Sequence, residues 1–326
     1  MGAKIKIFRQ NNKKCSIFLQ IIAKEAIFAL SKGNNYTLYI IMATEYIMLS
    51  RSNGVAKNGS PYALLKLASE KEVVNLAVWD CQPTSGPRVG QLLYFTSIQE
   101  RGDKKSANAA DMRLGQMAGE SHPLYHLIPR PTKRADWDAC LDHLLTFCND
   151  EKLKAIIDEW GRKLYDKYDK WPAASGMHHA FPGGLATHTY QMLHMLEGLY
   201  PCLPYPIKIE RCILAILFHD YGKLREYNPE GDTQEDMYLL GHIYISAYTL
   251  QHVLEKAQID SEEVKCLVHC VLAHHGEKEY GSPVVPCLQE AVVINILDNL
   301  SAKVDSLEGT GEMEYCPALN THAVKR

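Results

Sequence analysis

The sequence predicts a multidomain α+β chain, a small β-barrel followed by an all-α helical bundle, and three observations carry that prediction. Its 326 residues, 46% hydrophobic, can bury two modest cores, and ordinary domain sizes favour two over one. The spacing of apolar residues changes from short β runs over residues 46–118 to helical periodicity beyond residue 136. Between the two regimes, Ser121 to Arg134 carries Pro123, Pro129 and Pro131 and reads as an extended linker. The expected organisation is an extension over 1–45, the barrel over 46–120, the linker over 121–135, the helical domain over 136–305 and a short tail over 306–326.

In the extension, Phe18, Ile21, Ile22, Phe28 and Ala29 mark a short amphipathic helix, and Met42 stands as an alternative natural start. Strands are expected at Tyr46 to Ser50, Tyr62 to Ala68, Val73 to Trp79 and Gln91 to Gln99. Asn58-Gly59 is a hairpin signal, because both central positions of a tight turn need positive φ. A parallel sheet would need helices between such strands, so they fit a closed or half-closed barrel of the OB kind, with a β-sandwich fragment as the alternative. Helices are expected at Trp137 to Cys148, Lys152 to Lys170, His188 to Tyr200, Ile207 to Phe218, Leu239 to Ala257, Ser261 to Ala273 and Leu288 to Val304. Asp260 with Glu262 and Glu263 places capping and acidic groups at one helix start, where the macrodipole favours them.

The net charge of −3 excludes a whole-molecule basic field for gripping a polyanion. Ten cysteines without a CxxC pair suit reduced thiols and a cytoplasmic protein. The basic N-terminus before Ser16 to Ala23 imitates a signal peptide, but Lys24 and Glu25 interrupt the apolar run. No stretch approaches the ~20 apolar residues of a membrane span.

Histidines carry the chemistry. Of the 14, ten fall between residues 178 and 275 inside the helical domain, at 178, 179, 188, 194, 219, 242, 252, 269, 274 and 275. His194, His252 and His269 read as ordinary core or surface residues. His219-Asp220 differs, because it ends the apolar run Cys212 to Phe218, and a charged carboxylate at the tip of a buried helix is costly unless a cation compensates it. Asp298 repeats the pattern after Ala291 to Leu297. Two carboxylates on buried helices, with imidazoles nearby, point to metal. Imidazole and carboxylate without thiolate suit Mn, Fe, Co or Ni better than a structural zinc.

The order His188, His219-Asp220, Asp298 resembles the signature of the HD superfamily of metal-dependent phosphohydrolases, and the resemblance implies that these residues ligate one divalent ion. His242 and His274-His275 match the longer two-metal pattern, which implies that Asp220 bridges two ions and these three histidines hold the second. Lys223 matches the lysine of HDxGK-containing members and by that likeness contacts phosphate, beside a Gly222 that would admit close approach of substrate. Asp220 and Lys223 are therefore the expected catalytic pair.

His178-His179-Ala-Phe-Pro-Gly-Gly184-Leu-Ala-Thr-His188, Leu240-Gly-His242-Ile, Ala273-His-His-Gly276 and Leu297 to Lys303 are similar to blocks of the YhaM-type 3′-to-5′ exoribonucleases, as is the order of barrel and HD domain. That resemblance covers roughly residues 46–305 and implies manganese-dependent trimming of single-stranded RNA from its 3′ end, the barrel feeding the strand. His178, His179, Gly184 and Lys223 are the candidate substrate contacts. On the barrel Lys57, Tyr62, Lys66, Trp79 and Tyr94 are candidates for nucleic acid, with Phe95, Arg101, Lys104, Lys105 and Arg113 as further aromatic or basic groups.

Three rival readings stay open: a phosphohydrolase of small or cyclic nucleotides, a di-iron oxygenase on the same ligand set, against which Lys223 speaks, and a nucleic-acid binder with a relic site. DNA is an alternative substrate to RNA, no membrane partner is expected, and a homo-oligomer is compatible with the sequence.

Overall fold

A computed structural model describes residues 4–5, 28–32, 35–39, 44–82, 86–102, 104–174, 178–229, 231–307, 313–316, 319 and 321–324. The chain divides into two compact units, Met1–Leu49 with Val55–Ile128 and Ser50–Gly54 with Pro129–Arg326.

Most of the helix expected in the extension lies outside the described residues. Phe28 and Ala29, its last two members, are instead in a strand, β2 (Phe28–Lys32), which pairs antiparallel with β3 (Asn35–Tyr39), itself paired with β1 (Lys4–Ile5). Tyr36, Thr37 and Tyr39 are strand-favouring residues, and local pairing prevails over the helical spacing of the isolated segment.

The main sheet has seven strands: β4 (Glu45–Val55), β5 (Pro61–Ala68), β6 (Val73–Trp79), β7 (Gln91–Phe95), β8 (Gln99–Arg101), β9 (Lys104–Asn108) and β10 (Met112–Met117), in the order β10-β7-β4-β5-β6-β9-β8. It curls into an OB-like half-barrel. Tyr46, Met48, Leu65, Leu67, Leu76, Val78, Leu93 and Phe95 form one core on its inner side, while Ile47, Leu49 and Leu92 pack a second cluster with Leu124 on the other side. Two differences from the expected strands stand out. The run to Gln99 stops at Phe95, and β8 to β10 are additional, because Lys104-Lys105 and the glycine-bearing Met112–Met117 lack the apolar alternation that marks β5 and β6. The Asn58-Gly59 hairpin joins β4 to β5 through a longer turn in which Gly59 alone has positive φ and donates to the Ala56 carbonyl at 2.8 Å.

The helical unit comprises α1 (Arg134–Thr146), α2 (Glu151–Tyr168), α3 (Gly184–Leu199), α4 (Ile209–Phe218), the short α5 (Lys223–Glu226) and α6 (Asp236–Leu239), α7 (His242–Lys256), α8 (Ser261–Leu272) and α9 (Gln289–Asp305). Asp150 caps α2 and Asp260 caps α8, each carboxylate accepting from backbone N–H groups of the first turn. α4 is the central element: all its residues except Arg211 are buried, which explains its unbroken apolar run. The expected helix from Leu239 is two pieces, since Gly241 at φ 73° separates α6 from α7 and makes His242 a first-turn residue. Beyond α9, β11 (Met313–Cys316) pairs antiparallel with β12 (Thr321–Val324), where only a short tail was expected. Among the described residues no helix is long and apolar enough to cross a membrane.

Candidate metal centre

The apolar run of α4 ends at Phe218, and the chain leaves the helix as His219-Asp220 inside the core, at 0% and 2% exposure. Around this point α3 brings His188, α7 brings His242 as its first residue, the loop after α8 brings His274 and His275, and α9 brings Asp298. All seven sequence-predicted ligand candidates converge. His188 Nε2 lies 3.2 Å from His219 Nε2 and 3.2 Å from Asp298 Oδ1, and His219 Nε2 lies 3.2 Å from Asp220 Oδ2. On the other side, Asp220 Oδ1 is 3.7 Å from His242 Nε2, and the donor atoms of His242, His274 and His275 lie within 4.8 Å of one another.

The outward nitrogens of these rings are all tied. Nδ1 of His219 is bonded to the Ile216 carbonyl at 2.7 Å, that of His274 to Val271 at 2.6 Å and that of His275 to Tyr280 at 2.7 Å. Nδ1 of His242 meets Glu226 at 3.1 Å, and that of His188 meets the Ser301 hydroxyl at 2.9 Å. Rings whose Nδ1–H is donated outward point an Nε2 lone pair inward, which is how proteins set histidines toward a cation. Asp220 Oδ1, His242 Nε2 and His274 Nε2 are buried with no protein partner. Unpaired buried polar atoms cost on the order of 1–3 kcal/mol each, so three of them converging with four further donors fit divalent metal.

The electrostatics agree. Burial by itself would raise the Asp220 carboxyl, yet the Lys223 ammonium and His219 outweigh it and hold Asp220 well below the usual carboxylate range. Asp298 is likewise held low against burial, by its bond with His188. Burial, with His275 and His219 adding repulsion, pushes His274 well down, and burial, with His242 adding repulsion, lowers His275, so both rings stay neutral and able to ligate.

Lys223 starts a new short helix instead of continuing α4, and its Nζ reaches Asp220 Oδ2 at 2.5 Å. The structure separates the other substrate candidates. His178 is half-buried with its ring 5.6 Å from that of His188. His179 is enclosed at 2% exposure, with φ 47°, its N–H donating to Asp305 at 2.8 Å and its Nε2 3.1 Å from Gln191 Oε1. Thus His179 holds the loop and is not presented to a substrate. Gly184 is corrected in the same way: a Cβ there would sit 1.9 Å from the His179 carbonyl oxygen, so its missing side chain lets α3 start beneath the loop. Gly222 also serves packing, since a Cβ would lie 2.3 Å from the His242 carbonyl oxygen.

Sequence reasoning missed Glu226, Gln191, Ser301 and Asp305. Ser301 donates to Gln191 at 2.7 Å, linking His188 to His179. A signal existed, because Gln191 follows His188 and Ser301 follows Asp298 by three residues, on the same helical faces. Glu226 had none, as its contact to His242 depends on the break between α6 and α7.

On the barrel, Tyr62 and Trp79 are a cross-strand pair with rings 5.3 Å apart. Trp79 also lines an open depression with Ala56, Lys57, Asn58, Ser60 and Asp80. Lys66, opposite Asn75, shares the outward face of β5 with Tyr62. Tyr94 is set apart: its hydroxyl donates to Glu45, and burial and that bond push it up to about 12, so it is a packing residue. Lys105 is engaged by Glu72 at 2.8 Å and Glu100 at 3.4 Å.

The HD domain family profile matches residues 185–303. The chain is similar to the 3′-5′ exoribonucleases YhaM of Bacillus licheniformis, 29% identical over 294 residues, 85% of this chain and 87% of that protein. It is also similar to those of Bacillus velezensis, 28% identical over 272 residues, 79% and 84% of the two chains, and Bacillus subtilis, 28% over 287 residues, 81% and 86%. No solved structure matches the chain.

Proposed function

We propose that the chain is an HD-domain, metal-dependent phosphohydrolase related to the YhaM exoribonucleases and that it removes nucleotides one at a time from the 3′ end of single-stranded RNA. The observation that carries this reading is the set of buried, partnerless atoms on Asp220, His242 and His274 facing one point among the other donors. His188, His219, Asp220 and Asp298 would hold one cation, and Asp220, His242, His274 and His275 a second; the nitrogen-and-oxygen set suits Mn, Fe, Co or Ni, and the resemblance to the YhaM-type enzymes favours manganese among them. Bound there, the cations supply an activated water and neutralise charge on the phosphate.

The chain's own groups do the rest. Asp220, ionised by its surroundings, fixes the separation of the two half-sites from one carboxylate. Lys223 keeps its proton, because Asp220 outweighs the burial that disfavours the ammonium, and places that charge for a non-bridging phosphate oxygen. His178, pushed down to about 3 by burial with repulsion from Lys223 and His188, is neutral and offers an N–H to the phosphate from the half-open edge of the cluster. On the barrel, the outward face of the second and third sheet strands and the first loop form the usual OB surface for oligonucleotides, and here they carry Tyr62, Lys66, Trp79 and Lys57.

The test uses single-stranded RNA labelled at the 3′ or the 5′ end, added manganese, and wild type beside Asp220→Ala. Stepwise shortening from the 3′ end that vanishes in the variant supports the proposal. Intact RNA with wild type, alongside hydrolysis of a mononucleotide ester, replaces it with the small-nucleotide reading, and oxygen consumption by an iron-loaded sample replaces it with the oxygenase.

A further inference from the structure

Outside the central cluster, α1 and α3 bring together a second set of donors, each helix contributing two residues spaced i, i+3. Cys140 and His143 come from α1, and His194 and Glu197 from α3. Glu197 is the hub: Oε1 lies 2.5 Å from His143 Nδ1, and Oε2 lies 2.8 Å from His194 Nδ1. The donor atoms of Cys140, His194 and Glu197 all lie within 4.8 Å of one another. Cys140 is 4% exposed, whereas the side chains of His143 and His194 are 54% and 64% exposed, so the thiol forms the floor and the imidazoles the rim. Both rings have aromatic neighbours: His194 stacks on Tyr190 with centroids 5.6 Å apart, and His143 lies 5.0 Å from Phe147.

We propose that Cys140, His143, His194 and Glu197 form a structural zinc site that fastens α1 to α3. One thiolate, one carboxylate and two imidazoles are the mixed sulfur, nitrogen and oxygen donors that a four-coordinate zinc accepts, and the two anions neutralise the dication. The set differs in kind from the central one, which has no sulfur, so the two would sort metals by softness.

Binding requires a definite proton movement. Burial, with Glu197 adding repulsion, pushes the Cys140 thiol up to about 12, so the free site holds S–H. As the sulfur–zinc bond forms, that proton is released to solvent. In the free site each ring donates its Nδ1–H to Glu197, so on binding that proton passes to solvent while Nε2 takes one up, and the still-neutral imidazole turns the freed Nδ1 lone pair to the ion. Ligands at ~2.0–2.3 Å from zinc stand farther apart than the hydrogen-bonded atoms do now, and the exposed rings have room to make that adjustment. Because α3 also carries His188, the clamp would brace the helix that presents a ligand of the central site.

The test uses the reduced, metal-free full-length protein titrated with cobalt as the probe. Only a thiolate donor gives a sulfur-to-cobalt charge-transfer band, so the central site is silent in this readout. The expected result is a near-ultraviolet band in wild type and in Asp220→Ala, absent in Cys140→Ser, and at least ~tenfold weaker in cobalt affinity for His194→Gln. Zinc should abolish the band and, in the Asp220→Ala background that weakens the central site, raise the melting temperature more than it does in Asp220→Ala/His194→Gln. Cobalt binding without the band, or a band whose affinity is unchanged in a His143→Gln/His194→Gln variant, overturns the site and leaves Glu197 as a plain hydrogen-bond acceptor for two surface histidines.

Discussion

In the β unit Ser69 is the single buried polar side chain among the described residues, whereas the helical unit buries His179, His188, His219, His274, Asp220, Lys223 and Glu226 in or beside one cluster. The half-barrel closes its interior with Leu65, Leu67, Leu76, Val78 and Leu93 and keeps the Tyr62–Trp79 pair, the proposed stacking platform, on the outside. The helical unit does the reverse. A surface that holds a flexible polymer can be polar and wet, but groups that must act on one phosphorus atom have to be fixed, and burial with every outward nitrogen tied is how side chains are fixed.

The largest effect should come from Asp220→Asn. It removes the carboxylate common to both half-sites, and turnover should fall by about 10³-fold or more while binding of single-stranded RNA, measured by filter retention, stays near the wild-type level. Loss of both together would break the division of labour. Lys223→Met should lower kcat by about 10²- to 10³-fold with metal content, measured by plasma emission, unchanged. A fall in bound metal instead would assign the lysine to building the site.

Substitution on the barrel should act through KM. Losing the outward-facing pair in Tyr62→Ala/Trp79→Ala should cost about 1–3 kcal/mol per stacked base, seen as a KM for long RNA raised by roughly five- to a hundred-fold for each base that loses its partner, with hydrolysis of a dinucleotide unaffected.

Acid should also separate the units. Burial, with repulsion from His188 and His178, holds His179 down at about 2, and His274 is held well down as well, while in an unfolded chain both titrate near 6.5. Below about pH 6.5 the unfolded chain takes up protons that the folded metal-free chain does not. Stability present above that pH is therefore lost as pH falls, by up to about 1.4 kcal/mol per pH unit for each ring. The β unit buries no histidine among its described residues, so urea melts between pH 7 and 5 should show the helical transition moving first. The smallest effect belongs to Tyr94→Phe, which removes one hydroxyl bond to Glu45, should cost about 1 kcal/mol or less in a denaturant melt, and should leave RNA binding intact.

The same contrast governs what was legible in the sequence. His219-Asp220 and Asp298 could be read because each follows an unambiguous apolar helical run, and an ionisable residue ending such a run announces itself, whereas His188, His242, His274 and His275 were legible through the order in which they follow one another, which resembles the HD pattern. Glu226 was not legible, since it reaches His242 only through the reversal of chain at 227–241. Gly184 and Gly222 were misread as substrate approaches because a sequence shows that a glycine is present but not which backbone crowds it. In the half-barrel, β5 and β6 alternate cleanly, whereas β8 and β10 have no buried residue and so leave no period to detect.

α9 has a consequence for how this protein can change. Asp298, Ser301 and Asp305 stand three and four residues apart, one face of the helix meeting His188, Gln191 and the His179 loop in turn. That helix works as a ruler. A single residue inserted before Ser301 would rotate everything after it by about 100°, so Ser301 and Asp305 would leave their partners together. Residues along this face can be exchanged one at a time, but its length is a quantity that drift cannot alter in small steps.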